Sequence, residues 1–322
     1  MRLPRIKIQG RTAVYHCISR IVGGQYLLDT PERETLRQLL WHQARFCGLQ
    51  ILTYSLLSNH FHLVIRVPEP QTLSDQTLLE RARAFYGSDH PRVKLLGQEL
   101  EQHGRLSEEL REGLQRRMGD ISVYMKELKQ RFSRWYNRRH DRYGTLWAQR
   151  FKSLLVEDQP SILLRVAGYV DLNAVRAGLV TDPKDYRFCG YGEAVAGGAE
   201  ARAGVSSFHE AEGWEEVAAA YRQVLLVSSG RAGASGKGEL DREKIMKALA
   251  RGGRLELGEV LRLRIRYMTD GVVLGTGEYV NGVYAEYRER FGRGRKGGAR
   301  PMRGLGWKGL KVLRDLRVRV IE

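Results

Sequence analysis

Two histidines separated by one residue, His60 and His62, lie in the run Ile51–Val67, whose apolar and β-branched residues predict strand. Side chains alternate faces along a strand, so His60 and His62 point one way and Phe61 the other. Two imidazoles on one face can hold a single metal ion. Far along the chain, Tyr169-Val-Asp-Leu-Asn173 offers a phenol and an amide. That spacing is about one helical turn and puts both on one helix face. With an ion on His60 and His62, Asn173 can offer its carbonyl oxygen as third ligand, and Tyr169 can aim its hydroxyl at whatever the ion polarises. A phenol titrates near pH ~10 and is a weak nucleophile at neutrality. A nearby cation favours phenolate and withdraws charge from a phosphate oxygen. The chemistry this suits is attack on a DNA phosphodiester, giving a phosphotyrosine and a free sugar hydroxyl. The stored bond can then pass to a second strand without an external energy source.

These residues need elements to hold them. Residues 12–20 alternate well enough for a first strand, and Gly23-Gly24 ends it. Thr30-Pro31-Glu32 reads as a helix start, with Leu36, Leu39, Leu40 and Phe46 as its apolar stripe up to Gly48. Strands at 50–57 and 60–67 follow. Residues 71–118 read as a helical insertion of two helices. A helix at 119–137 has Val123, Leu128, Phe132 and Trp135 for burial and Lys126, Lys129, Arg131, Arg134, Arg138 and Arg139 on its other side. Residues 143–156 hold a turn and a fourth strand. A helix opening near Asp158-Gln-Pro160 then carries Tyr169 and Asn173 to Gly178. Strand-helix-strand-strand-helix-strand is the ferredoxin-like βαββαβ order, an α+β class. The added helix would lie on the open side of the sheet, facing the histidines.

Residues 1–192 thus form one expected unit. Residues 193–238 read as linker or loops, because Gly, Ala and Ser dominate around 195–204 and again at 228–238. Residues 239–322 read as a basic, mostly helical C-terminal region, with helices near 240–250 and 257–268 and a turn at 271–277. The stretch from Arg288 to Arg303 reads as a basic arm, either disordered or in nonspecific contact with DNA.

The chain has 322 residues and a net charge of +17. Such an excess of base points to a polyanion, most often nucleic acid. No apolar run is long enough for a membrane span, and the N-terminus lacks a signal-peptide core. Cys17, Cys47 and Cys189 are too few and too scattered for a disulfide framework and fit reduced thiols. A cytoplasmic, nucleoid-associated protein is the expectation.

His60-Phe61-His62 resembles the metal-binding pair of the HUH endonucleases. Tyr169 and Asn173, within Gly-Tyr-Val-Asp-Leu-Asn-Ala-Val-Arg-Ala-Gly-Leu-Val180, resemble the single-tyrosine transposases, above all the REP-associated tyrosine transposases. Tyr15-His-Cys-Ile-Ser-Arg20, Leu146-Trp-Ala-Gln-Arg-Phe151 and Asp185-Tyr-Arg-Phe188 agree in collinear order, so the similarity spans about residues 8–192. The resemblance implies cleavage of single-stranded DNA beside imperfect hairpins, a 5′-phosphotyrosine intermediate, and Mg2+ or Mn2+. It makes His60, His62 and Asn173 the metal ligands and Tyr169 the nucleophile, in a monomer or a homodimer.

Further DNA contacts are expected from Arg150, Trp147 and Gln149 in the turn before the fourth strand, and from Lys129 and Arg134 on the basic helix. His16 also lies on a strand and can face the site, with a structural hydrogen bond as the preferred reading. Two other functions fit the same residues. One is a replication-initiator or relaxase-like nickase, disfavoured because no second tyrosine follows in the helix and no P-loop is present. The other is a module that holds structured DNA or RNA without cutting it.

Overall fold

The computed structural model describes residues 5–226 and 266–314, apart from 293, 296 and 303–308. The expected helix near 240–250 lies outside the described residues, as does the one near 257–268 up to residue 265.

The α+β class stands. Strands β1 (Ala13–Arg20), β2 (Gln50–Leu56), β3 (His60–Val67) and β4 (Lys152–Val156) lie in the order β2-β3-β1-β4, each pair antiparallel. That is the ferredoxin-like arrangement. Helix α1 (Thr30–Cys47) connects β1 to β2. Gly48 ends it with φ 67°, a left-handed conformation that glycine adopts without cost. Helix α5 (Ile121–Arg139) leads to β4. It packs on α1, and the Tyr124 hydroxyl donates to Leu40 O at 3.0 Å.

The insertion holds three helices where two were expected: α2 (Asp75–Tyr86), α3 (Pro91–His103) and α4 (Glu108–Gln115). Ser74 and His90 accept backbone N–H groups at the starts of α2 and α3. After β4 come α6 (Pro160–Asp171) and the short α7 (Asn173–Arg176), then α8 (Gly190–Val195), α9 (Ala199–Ser206) and α10 (Trp214–Leu226).

The described part of 193–238 is therefore mostly helical, with only 196–198 and 207–213 as loops. Its small residues serve close packing. A Cβ on Gly204 would lie 2.3 Å from Ile51 O, so only glycine lets α9 ride on the β2 backbone. Composition suggests flexibility here, whereas the contact requires small side chains.

The C-terminal part also differs from its expectation. Helices α11 (Arg266–Asp270) and α12 (Gly277–Glu286) are present, but β5 (Gly271–Gly275), β6 (Arg300–Pro301) and β7 (Lys311–Arg314) extend the same sheet beyond β4. β5 runs parallel to β4, pairing Leu155 with Val273 and Val156 with Leu274. The turn expected at 271–277 is thus strand β5 running into α12. Part of the basic arm folds back as well: Arg295 donates to Arg314 O at 2.6 Å, and Arg300 pairs with Val312.

Candidate active site

Phe61 packs against Trp147, which packs in turn on Phe132 of α5. This is the face that α1 and α5 cover. His60 and His62 point to the opposite face, toward α6, as strand alternation requires. Their ring centroids are 5.2 Å apart. His62 is buried and His60 partly exposed.

Each histidine has a partner at Nδ1. His60 meets Asn59 Oδ1 at 2.6 Å, where the ring must donate. His62 meets His16 Nε2 at 2.8 Å. With Nδ1 engaged, Nε2 is the atom each ring would turn to a metal, the usual division of labour in metal-binding histidines. Burial, first of all, holds His62 well below the ordinary histidine pKa, and the charges of Arg176 and Arg20 add to it. Burial likewise pushes His16 down to about 4. The Met268 backbone lies near His16 and opposes that shift, yet His16 Nδ1 has no partner in full hydrogen-bonding geometry. Both rings are neutral at neutral pH, the form that donates a lone pair to a metal.

Tyr169 sits on the inner face of α6, 3% exposed. Its ring centroid is 6.2 Å from that of His62 and 6.3 Å from that of His16, both edge-on. Helix α6 ends at Asp171, and α7 starts at Asn173 after a single residue, Leu172. Leu172 still donates to Gly168 O, so the turn is nearly preserved and Asn173 stays about one turn from Tyr169.

Arg176 ties the two together. Its guanidinium carbon lies 4.1 Å from the Tyr169 ring centroid. Its Nη2 donates to Asn173 Oδ1 at 2.6 Å and to the Tyr169 carbonyl. Asn173 Nδ2 is buried without a hydrogen-bond partner.

The donor set fits a divalent ion in part. Two neutral imidazoles with anchored Nδ1 atoms suit Mn2+ better than Mg2+, which prefers all-oxygen shells. Asn173 could join only by sharing or releasing its oxygen from Arg176. Among the described residues no group of three or more His, Cys, Asp or Glu side chains is placed to hold a metal. An ion here would thus depend on substrate oxygens and water for most of its shell.

The expected DNA contacts divide. Gln149, Arg150 and Arg134 are exposed. Arg150 lies near Arg5, whose guanidinium stacks on Phe151 and donates to Ser122 of α5, so it sits on the α5 side and not beside the histidines. Trp147 is buried, and its Nε1 donates to Ser133 Oγ at 2.9 Å and to Lys129 O at 3.2 Å. Its ring is core packing and offers no face to a base, because the turn before β4 tucks inward there. Lys129 lies over that ring and donates to Gln149 O at 2.8 Å. It braces the turn.

Sequence reading left three participants unassigned: Arg176, Arg20 and Asp171. It allowed His16 to face the site and preferred a structural hydrogen bond; the structure shows both at once, since the bond is to the candidate ligand His62. Strand parity carried a signal for His16 and Arg20, which share a face of β1. Arg176, three residues after Asn173, carried a helical one.

Among the described residues, no helix is long and apolar enough to cross a membrane. No family model and no curated protein matches the chain. Among solved structures, it is similar to a REP-associated tyrosine transposase bound to a REP hairpin. The identity is 17%, the match covers 62% of this chain and 87% of that one, and the TM-score is 0.40, too low to assign fold or function.

Proposed function

We propose that this chain is a transposase that cuts and rejoins single-stranded DNA beside hairpins, with Tyr169 as nucleophile. The observation that carries the reading is the packing of the Tyr169 ring against His62, on the sheet face that also bears His60, with Asn173 one turn further on. Tyr169 Oη attacks phosphorus, and the bond from phosphorus to the 3′ oxygen breaks. A 5′-phosphotyrosine and a free 3′-hydroxyl result. The proton lost by the phenol balances the one gained by the departing oxygen. Rejoining is the same step in reverse, with a second 3′-hydroxyl as attacker.

His16 holds His62 in one orientation, Asn59 does the same for His60, and Arg176 fixes the Tyr169 ring. A divalent ion, Mn2+ or Mg2+, would be held by His60 and His62 and would polarise the phosphate oxygens. The hairpin is what the sequence resemblance implies, and the charge of +17 supports a nucleic-acid partner.

A second reading is a module that grips structured DNA without cutting it. It is favoured by the burial of Tyr169 and by the hold of Arg176 on Asn173 Oδ1. The test for both is a gel assay for covalent adducts. Labelled single-stranded hairpin oligonucleotides from the DNA flanking the gene are incubated with Mn2+ or Mg2+ and wild type, Tyr169→Phe or His60→Ala. A denaturant-resistant adduct in wild type alone supports the transposase. Tight binding without an adduct under either metal supports the module.

A further inference from the structure

Arg20 is the last residue of β1 and the antiparallel partner of His60. Directly opposed residues of an antiparallel pair point to the same face. Arg20 therefore stands beside His60 on the face that carries His62 and His16. One step back, Ile18 pairs with His62 on one side and with Lys152 on the other. Lys152 thus belongs to the same face, one strand beyond. Arg20 and Lys152 are both exposed.

The surroundings of Arg20 are fixed, but its head group is not committed. Its carbonyl accepts the Ala148 N–H at 3.0 Å, and Ile21 donates to Asn59 O at 2.9 Å while bridging to Trp147. These bonds lock the strand end to the hairpin that bears His60. The guanidinium, by contrast, makes no ion pair and no side-chain hydrogen bond among the described residues. Three other arginines near this sheet are spent: Arg66 on Asp158, Arg37 on Glu34 and Glu193, Arg176 on Asn173. An arginine held on a rigid strand end, with its fork open beside two candidate metal ligands, has the geometry of a phosphate receptor.

We propose that Arg20 grips a backbone phosphate of the single strand next to the scissile bond, with Lys152 continuing the track across β1 to β4. The proposal rests on the Tyr169 reading and adds the path of the strand. DNA would cross the ends of β3, β1 and β4 on the α6 side. It would not follow the basic face of α5, where Arg134 lies.

The test uses the full chain in a Tyr169→Phe background, which prevents cutting, and a hairpin oligonucleotide that forms an adduct with wild type. Arg20→Gln is expected to weaken binding roughly ten-fold or more, as loss of a charged hydrogen bond would. It should also reduce the slope of log affinity against log salt by about 0.7, one single-strand phosphate. Arg20→Lys should restore the salt slope but only part of the affinity. Arg105→Gln, which removes the same charge from the insertion, should change neither.

A scan with single methylphosphonates then locates the contact. Neutralising one phosphate beside the cut should weaken the parent protein and cost nothing further in Arg20→Gln. Equal losses in both proteins at every position, or an unchanged salt slope in Arg20→Gln, would overturn the Arg20 assignment. Absence of an adduct in wild type with every oligonucleotide would instead sink the Tyr169 reading beneath it.

Discussion

The Tyr221 hydroxyl of α10 donates a 2.6 Å hydrogen bond to Asp171 Oδ2, the last residue of α6. The other carboxyl oxygen accepts from the Thr53 hydroxyl at 2.7 Å and from the Tyr191 N–H at 3.1 Å. One buried carboxyl thereby joins α6 to β2, α8 and α10, two residues past the candidate nucleophile. Removing one donor from a buried carboxyl costs about 1–3 kcal/mol, because the oxygen left behind has no water to turn to. Tyr221→Phe is therefore expected to lower unfolding free energy by about that amount in a urea titration, with an unchanged m value. A loss below about 0.5 kcal/mol, the range of an ordinary surface change, would mean that the contact does not hold α6.

His16 makes a prediction about metal and not about stability alone. Its Nε2 meets His62 Nδ1 at 2.8 Å, so it sets which way His62 turns. Partners of this kind change metal affinity by about 10- to 100-fold when removed. His16→Leu keeps a buried side chain of similar bulk and removes the ring nitrogens. Calorimetric titration with Mn2+ should show a loss in that range, with circular dichroism confirming the fold. An unchanged affinity would mean that His62 does not bind metal or does not need His16 to do so.

Much of this was legible from residue patterns, and the failures share a cause. Strand alternation placed His60, His62 and Phe61 on their proper faces, and helical spacing kept Tyr169 and Asn173 together across the break at Leu172. Those are local rules, and they hold locally. Trp147 was expected to meet DNA because it precedes a strand in a turn. Its burial depends on Phe61 and Phe132, which lie far off in sequence. The strands β5–β7 were missed because each is short, and their pairing partner β4 lies more than a hundred residues earlier for β5. Arg176 escaped notice because a lone arginine in a helix is usually solvated. Here it is half-buried between a phenol and an amide.

Gly204 tests whether the Gly- and Ala-rich stretch is packing or tether. A methyl group there would press on Ile51 O at 2.3 Å and on Leu52 O at 2.9 Å. Neither backbone atom can swing aside as a side-chain tip could. Gly204→Ala should cost at least about 1–3 kcal/mol, the usual penalty of overpacking. A flexible tether would instead gain slightly from the substitution, since alanine has less freedom to lose on folding. The sign of the change in a denaturant titration separates the two.

Lys129 carries a pH dependence. Burial, with Arg5 adding its like charge, lowers its pKa from 10.5 to about 8. In the unfolded chain the ammonium keeps its proton up to the higher value. Between about 8 and 10.5 the unfolded state therefore binds more protons, and stability rises with pH across that window. Below it both states are charged, and the folded protein bears the cost of the buried ammonium in full. Lys129→Met removes the titration. The stability of wild type relative to the variant should climb as pH goes from 7.5 to 10, while tyrosines titrating in both proteins cancel in the difference. A flat or falling difference would show that Lys129 is better solvated than its position over Trp147 suggests. The same reasoning bears on DNA binding: an ammonium already donating to the Gln149 carbonyl, and losing its charge near pH 8, is poorly suited to hold a phosphate. Lys129→Met should therefore change the salt slope of hairpin binding far less than Arg20→Gln does.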